Sequence, residues 1–336
     1  MPNLPNLDRC AVFWQKHVMR RLVVLICGVL AIVVSAAEPR YVVDDDAYAD
    51  KITSACAKLL KHHKLLSAKT LQAQVKVKDV AIKTPAASHQ KYSLPDLYDR
   101  LRESTVAIGN YYKCPDCPNW HFSSSTGFVV GDGTVCTCCH VVQAEDKGVE
   151  ESYLVVADSS GRVFPVQGVL AADTESDTCL VKIDAPDLKP LPLRAGVRPG
   201  ERIFCLSHPG GYFFMFSQGI VARVNSRRDP LVDDLGQTNG LMSRPILCLN
   251  ITAEFAPGSS GAPVVDEEGN VVGQVASIAD AGEGSETNAP PSPSVPVRFC
   301  TAAEEIARLT RHHLERTNQL VRASSRTVHT ASDAGR

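Results

Sequence analysis

Apolar and polar positions along this chain of 336 residues fall into distinct textures. Residues 44–66, DDDAYADKITSACAKLLKHHKLL, place Ile52, Ala55, Cys56, Leu59 and Leu60 close to helical spacing behind an acidic start, which predicts one amphipathic helix. Residues 67–93 are mixed and polar and end in a Pro/Ser/His/Gln stretch, read as a linker or an extended arm packed on the main domain. From Leu94 to about Leu309, short β-rich runs recur at intervals of roughly ten residues between Gly, Pro, Asp and Asn, the sign of an all-β barrel or sandwich. STVAIGNYY, STGFVV, TVCTCCHVV, DTCLVKID, ERIFCLSH and SQGIVARV are among these runs, and together they suffice for two small barrels. Thr301 and Glu304 are expected to form a capping box opening a C-terminal helix, AAEEIARLTRHHLERT. The organisation expected is a helical extension and linker over 38–93, a main domain over 94–314 with a surface loop at 281–294, and a polar, disordered tail over 315–336.

The segment MRRLVVLICGVLAIVVSAAEPR, residues 19–40, joins a basic pair to about sixteen apolar residues and a small-residue ending. It reads as a secretory signal peptide, 1–37, cut after Ala37, with Met19 as an alternative start of translation. The competing reading is an uncleaved anchor, and only then would the chain meet a membrane. Hydrophobic residues at 44% and charged ones at 21% suit a globular protein, and a net charge of -2 without a basic patch argues against a nucleic-acid partner. Of twelve cysteines, Cys10 and Cys27 fall within the leader. Cys136, Cys138, Cys179, Cys205 and Cys248 lie in apolar, strand-like runs and read as buried thiols. CPDCPNWH supplies Cys114, Cys117 and His121, but without a second C-x-x-C the expectation is a local disulfide and no metal.

The chemistry concentrates in APGSSGAPVV. Gly258 and Gly261 flank Ser259 and Ser260, so a tight turn can lift a hydroxyl clear and gather backbone N–H groups into one concavity. A serine nucleophile needs a histidine base and a carboxylate to orient it. Among ten histidines, His62, His63, His312 and His313 lie in charged helical segments. His140 is polar where its neighbours Cys139, Val141 and Val142 are not, and it is read as ending the strand TVCTCCHVV. Asp177 precedes an apolar strand, with Asp173, Glu175 and Asp184 as competing carboxylates.

Taken together, STGFVVGDGTVCTCCHVV, DTESDTCLVKID and APGSSGAPVVDEEGNVVGQV resemble, in order, three blocks of the bacterial trypsin-like serine proteases of HtrA/Deg type. The resemblance covers roughly residues 100–310. It implies an all-β fold of two six-stranded Greek-key barrels, with an N-terminal helical extension and a C-terminal helix. The site would lie in the cleft, His140 and Asp177 coming from the first barrel and Ser260 from the second. It also implies an oxyanion hole at Gly258, Ser259 and Ser260, a specificity pocket based on Glu254, no cofactor, and protein or peptide substrates. Cys139 is excluded as nucleophile because adjacent strand residues face opposite ways. Ala262 and Ser259 depart from the family pattern, and no segment after the protease region is expected to form a PDZ module. The resulting expectation is an exported serine endopeptidase, or alternatively a catalytically weak binding or scaffold protein on the same fold.

Overall fold

The structure is a computed structural model that describes residues 41–76, 79–144, 148–232, 238–281 and 295–311. The expected signal peptide, most of the loop at 281–294 and the tail from 315 lie outside the described residues. The unit considered below runs from Asp45 to the C-terminus.

The acidic start and helical apolar spacing produce α1, Asp45–Lys61, which buries Tyr48, Ile52 and Cys56 on one face. The Tyr48 hydroxyl donates to the Asp158 carbonyl at 2.7 Å, and its ring meets Phe213 and Phe214 at 4.5 and 5.4 Å. A short helix α2, Ala68–Gln72, follows. The chain then runs extended across the main body, where Val80 N–H and Ile82 N–H donate to the Leu309 and Thr310 carbonyls and Tyr92 N–H donates to Glu267. A helix not expected from the sequence, α3, spans Leu94–Arg102. Its start is encoded locally: the Ser93 hydroxyl accepts from Asp96 N–H and a proline occupies the first turn. At nine residues, LPDLYDRLR is too short a periodic run to stand out from the β-rich texture around it.

Two antiparallel sheets make the body. The first contains β1 (Thr105–Lys113), β2 (Trp120–Gly131), β3 (Thr134–Thr137), β4 (Ser152–Ala157), β5 (Val163–Pro165), β6 (Gly168–Asp173) and β7 (Thr178–Lys182), in spatial order β5-β4-β1-β2-β3-β7-β6. The second is a closed barrel, formed by β8 (Arg202–Ser207), β9 (Met215–Arg227), β12 (Ile246–Ile251), β13 (Pro263–Val265), β14 (Val271–Ala281) and β15 (Val295–Ala302) in the order β12-β15-β14-β13-β8-β9. A small ribbon of β10 (Pro230–Val232) and β11 (Thr238–Met242) stands beside it. Two six-stranded barrels were expected; the first sheet instead has seven strands, and its edges β5 and β6 do not pair with each other. Each sheet has its own core, the first built around Val106, Ile108, Val135, Leu154 and Val181, the second around Ile203, Leu249, Val264 and Val272.

A short helix, α5, Ala303–Leu309, closes the described chain. Its N-cap is Ala302, with no side-chain capping bond, so the expected capping box does not form. Thr301 and Glu304 are recruited elsewhere: the Thr301 hydroxyl donates to the Ser176 carbonyl, and Glu304 accepts from Gly196 N–H. Asp173, at the end of β6, is gripped by Arg244 and Arg308, and Arg244 also reaches Glu305 at 2.7 Å. Burial alone would raise the Asp173 pKa, but the bonds from Arg244 and Ser176 hold it below the ordinary value. Because α1 fills its contact with a fully buried Ile52, Ile52→Ala is expected to cost about 2–5 kcal/mol, readable as a lowered denaturation midpoint of the whole domain.

Candidate active site

The site residues come from both sheets, and the backbone explains how. β3 ends at Thr137, and the chain turns at once into α4, a single helical turn over Cys139–Val142. His140 therefore stands on a helical turn and not at a strand end. Cys139, Val141 and Val142 are buried while His140 is exposed. The alternation argument against Cys139 fails with the strand, yet Cys139 still faces away, its Sγ donating to the Thr178 carbonyl at 3.1 Å.

Asp177 precedes β7 in a left-handed conformation, φ 53, a region that aspartate visits more readily than most residues. That turn brings both carboxylate oxygens onto His140: Oδ1 accepts from the His140 backbone N–H at 3.0 Å, and Oδ2 lies 2.6 Å from Nδ1. The second bond fixes the imidazole with Nδ1–H toward the carboxylate, leaving the Nε2 lone pair free. The hydrogen bond that Asp177 accepts, reinforced by its charge, raises the His140 pKa above 6.5 despite partial desolvation. The competing carboxylates are placed otherwise: Asp173 is held by arginines, Glu175 lies 3.5 Å from Arg244, and Asp184 is exposed.

The serine loop is delivered by the second barrel and tied to the first. Ser260 C=O accepts from Thr126 N–H at 3.0 Å, and Gly258 C=O accepts from the Thr126 hydroxyl at 2.9 Å. Gly261, at φ 85, lies so close that a Cβ there would fall 2.2 Å from the Thr126 carbonyl oxygen and 2.4 Å from Thr137 Oγ1. Gly258, at φ 96, would place a Cβ 2.5 Å from the His208 carbonyl oxygen. Both glycines are thus required by close backbone approach as well as by conformation.

The amides of this loop divide into spent and unspent donors. Ser259 N–H closes the turn onto the Ala256 carbonyl at 2.9 Å, so Ser259 is scaffolding; its side chain is buried against Ser207. The Pro257 carbonyl accepts from Gly210 N–H at 2.7 Å, and in a trans peptide this turns Gly258 N–H the opposite way. Among the described residues, neither Gly258 N–H nor Ser260 N–H has an acceptor, and the Ser260 hydroxyl is hydrogen-bonded to none, His140 included. Glu254 is exposed and does not form the buried pocket base that basic specificity would need; the adjacent Phe255 is buried.

Three residues unremarked in the sequence hold this arrangement. Thr126 bridges both loops, Gln274 donates to the Asp177 carbonyl and to Cys138 Sγ, each at 3.2 Å, and His208 donates its backbone N–H to Thr126 Oγ1. Only the position of Thr126 and Gln274 inside the motif blocks hinted at them. Burial lowers the His208 pKa to about 3, so this imidazole stays neutral, accepting from Phe214 N–H through Nδ1. Cys138, His140 and Asp177 also bring ligand-type atoms within 4.8 Å of one another. Burial drives the Cys138 thiol pKa well upward, and its Sγ donates to the Val275 carbonyl, so this trio does not make a metal centre.

Residues 125–273 match the trypsin-like peptidase domain family. The chain is 26% identical over 156 residues to the probable periplasmic serine endoprotease DegP-like of Halomonas elongata, covering 45% of this chain and 28% of that one. It is 26% identical over 189 residues to serine protease HTRA1B of Danio rerio, covering 55% and 37%. With the putative protease Do-like 14 of Arabidopsis thaliana it shares 30% identity over 189 residues, covering 52% and 42%. The chain spans less than half the length of these relatives. A solved structure, the HtrA-type protease AlgW with tripeptide, superposes with a TM-score of 0.46 at 21% identity, covering 64% of this chain and 61% of that one. Residues 125–273 are thus similar to a trypsin-like peptidase domain, and the curated relatives are named as proteases of the HtrA/Deg type.

Two consequences of this geometry are measurable. Gly261→Ala should destabilise the protein by at least about 1–3 kcal/mol, the scale of a strained backbone, as read by urea denaturation. In Asp177→Asn the His140 pKa, followed by NMR titration, should fall from its raised value toward or below 6.5, since the partner that stabilises the imidazolium is gone.

Proposed function

We propose that the protein is an exported serine endopeptidase that hydrolyses protein or peptide substrates through His140, Asp177 and Ser260. The observation that carries this reading is the short Nδ1–Asp177 bond, which leaves His140 Nε2 free to act as a base; in support, the serine loop with its two unspent amides is tied to the first sheet through Thr126. In the mechanism, Ser260 Oγ attacks the scissile carbonyl while His140 Nε2 takes its proton. Gly258 N–H and Ser260 N–H receive the oxyanion. The tetrahedral intermediate expels the amine, which takes the proton back from His140, and an ester to Ser260 remains. Water, deprotonated by the same imidazole, then releases the acid and restores the hydroxyl. Asp177 holds the tautomer and stabilises the imidazolium throughout, and no cofactor is needed.

Export rests on the leader pattern at 19–40 and on the word periplasmic in the name of one relative. The reading of a weak or latent binding protein has one observation in its favour, the Ser260 hydroxyl without a bond to His140. Catalytic hydrogen bonds of this kind often form only once substrate is bound.

The test is labelling of the full chain by a fluorophosphonate, together with peptide hydrolysis. Labelling should require Ser260 and fall steeply in His140→Ala, and Asp177→Asn should lower kcat by about 10,000-fold. Because His140 acts as the neutral base, kcat/KM should rise with pH through a pKa above 6.5. A folded chain that never labels, at any pH, would leave the binding protein as the surviving account.

A further inference from the structure

We propose that Cys114, Cys117 and His121, at the tip of the hairpin between β1 and β2, form a binding site for a thiophilic d10 cation, zinc being the natural occupant. Three observations carry this, and none depends on the protease reading.

The first is the state of the thiols. All ten described cysteines are free, and the other eight are buried, whereas Cys114 and Cys117 are only half-buried and sit within a single turn. The local disulfide expected from the spacing does not form, so both sulfurs remain as ligands. The second is convergence. Cys114 Sγ, Cys117 Sγ and a His121 ring nitrogen all lie within 4.8 Å of one another, and Cys117 Sγ is 3.2 Å from His121 Nε2. Tetrahedral zinc, with bonds of about 2.3 Å to sulfur and about 2.0 Å to nitrogen, places ligand atoms roughly 3.5–3.8 Å apart. The cluster is therefore close to ligating dimensions.

The third is that the frame is already built. Cys114 N–H donates to the Asn119 carbonyl at 3.1 Å, and Lys113 Nζ donates to the Pro118 carbonyl at 2.5 Å, which closes the loop across its neck. Trp120 stacks on Tyr111 at 4.8 Å, and His121 lies opposite Tyr112 in the strand register with ring centroids 5.9 Å apart. The second C-x-x-C of a closed structural centre is missing, and three protein ligands leave the fourth position to water or an incoming ligand. β2 continues from His121 to Thr126, so an ion at the tip would stiffen the strand that holds the Ser260 loop. Binding would release protons from the two thiols as they become thiolates.

The experiment is cobalt titration of the reduced full chain, read by the thiolate-to-cobalt absorption, with zinc displacing the cobalt. Saturation at about one equivalent is expected for a single mononuclear site. Absorption should be lost in Cys114→Ser and Cys117→Ser, binding should weaken at least about tenfold in His121→Ala, and His140→Ala should bind as the wild type does. A second readout needs no variant: zinc should raise the Tm of the metal-stripped wild-type chain. The proposal is overturned if the wild type gives no thiolate absorption, if absorption persists in Cys117→Ser, or if it disappears in His140→Ala, which would move the metal to the His140–Asp177 pair.

Discussion

The hydrogen bond from Thr126 N–H to the Ser260 carbonyl is the constraint on which the rest of the site depends. It joins β2 of the first sheet to a loop of the second barrel at the point where the two must cooperate. Around it the seam is polar and nearly continuous: Thr126 Oγ1 reaches Gly258, Gln274 reaches Asp177, Cys138 Sγ reaches Val275, and Thr301 reaches Ser176. Each of these four donors has a specific acceptor, and leaving one unpaired would cost about 1–3 kcal/mol. Such a seam permits few alternative registers, so the histidine–aspartate pair and the serine loop are fixed relative to each other by backbone geometry. Gly261 is the counterpart of this seam, since a side chain there would meet Thr126 and Thr137 of the first sheet, whereas Gly258 closes against His208 beyond β8 of its own barrel.

The candidate residues stand out in the sequence more clearly than the groups that hold them. His140 and Asp177 were legible because each is a polar residue beside an apolar run, and Ser260 because glycines bracket it; the structure joins the first two at 2.6 Å. The helical turn at His140 differs from the strand end expected there, because four helical residues leave no periodicity to detect over so short a span. The capping box at Thr301 failed because tertiary partners, Ser176 for the hydroxyl and Gly196 for the carboxylate, outcompeted the local cap. Helix α3 carried a readable start at Ser93 but is only nine residues long, about two turns and a half, with Leu97 and Leu101 alone buried. Thr126 and Gln274 act through pairings across 132 and 97 residues respectively, which no local pattern encodes.

The N-terminal arm belongs to the same logic. α1 and the extended segment after it bury an isoleucine, an aromatic cluster and several backbone hydrogen bonds against the body. Asp45 Oδ1 accepts from Phe213 N–H at 2.9 Å, close to the turn that carries His208 and so to the support of Gly258. A route of contacts therefore runs from α1 through Phe213, Phe214 and His208 to the serine loop. It is made of packed rings around a neutral, buried imidazole, which carries no charge to screen.

The central claim is that the seam delivers Ser260 and two unspent amides to the His140 base. A crystal structure of the chain with a peptidyl boronic acid tests it most directly. The account predicts a covalent bond from boron to Ser260 Oγ, one boronate oxygen accepting from Gly258 N–H and Ser260 N–H, and a second facing His140 Nε2, with the Asp177 bond retained. A folded chain that forms no adduct, or one whose boronate oxygens avoid both amides, would contradict it.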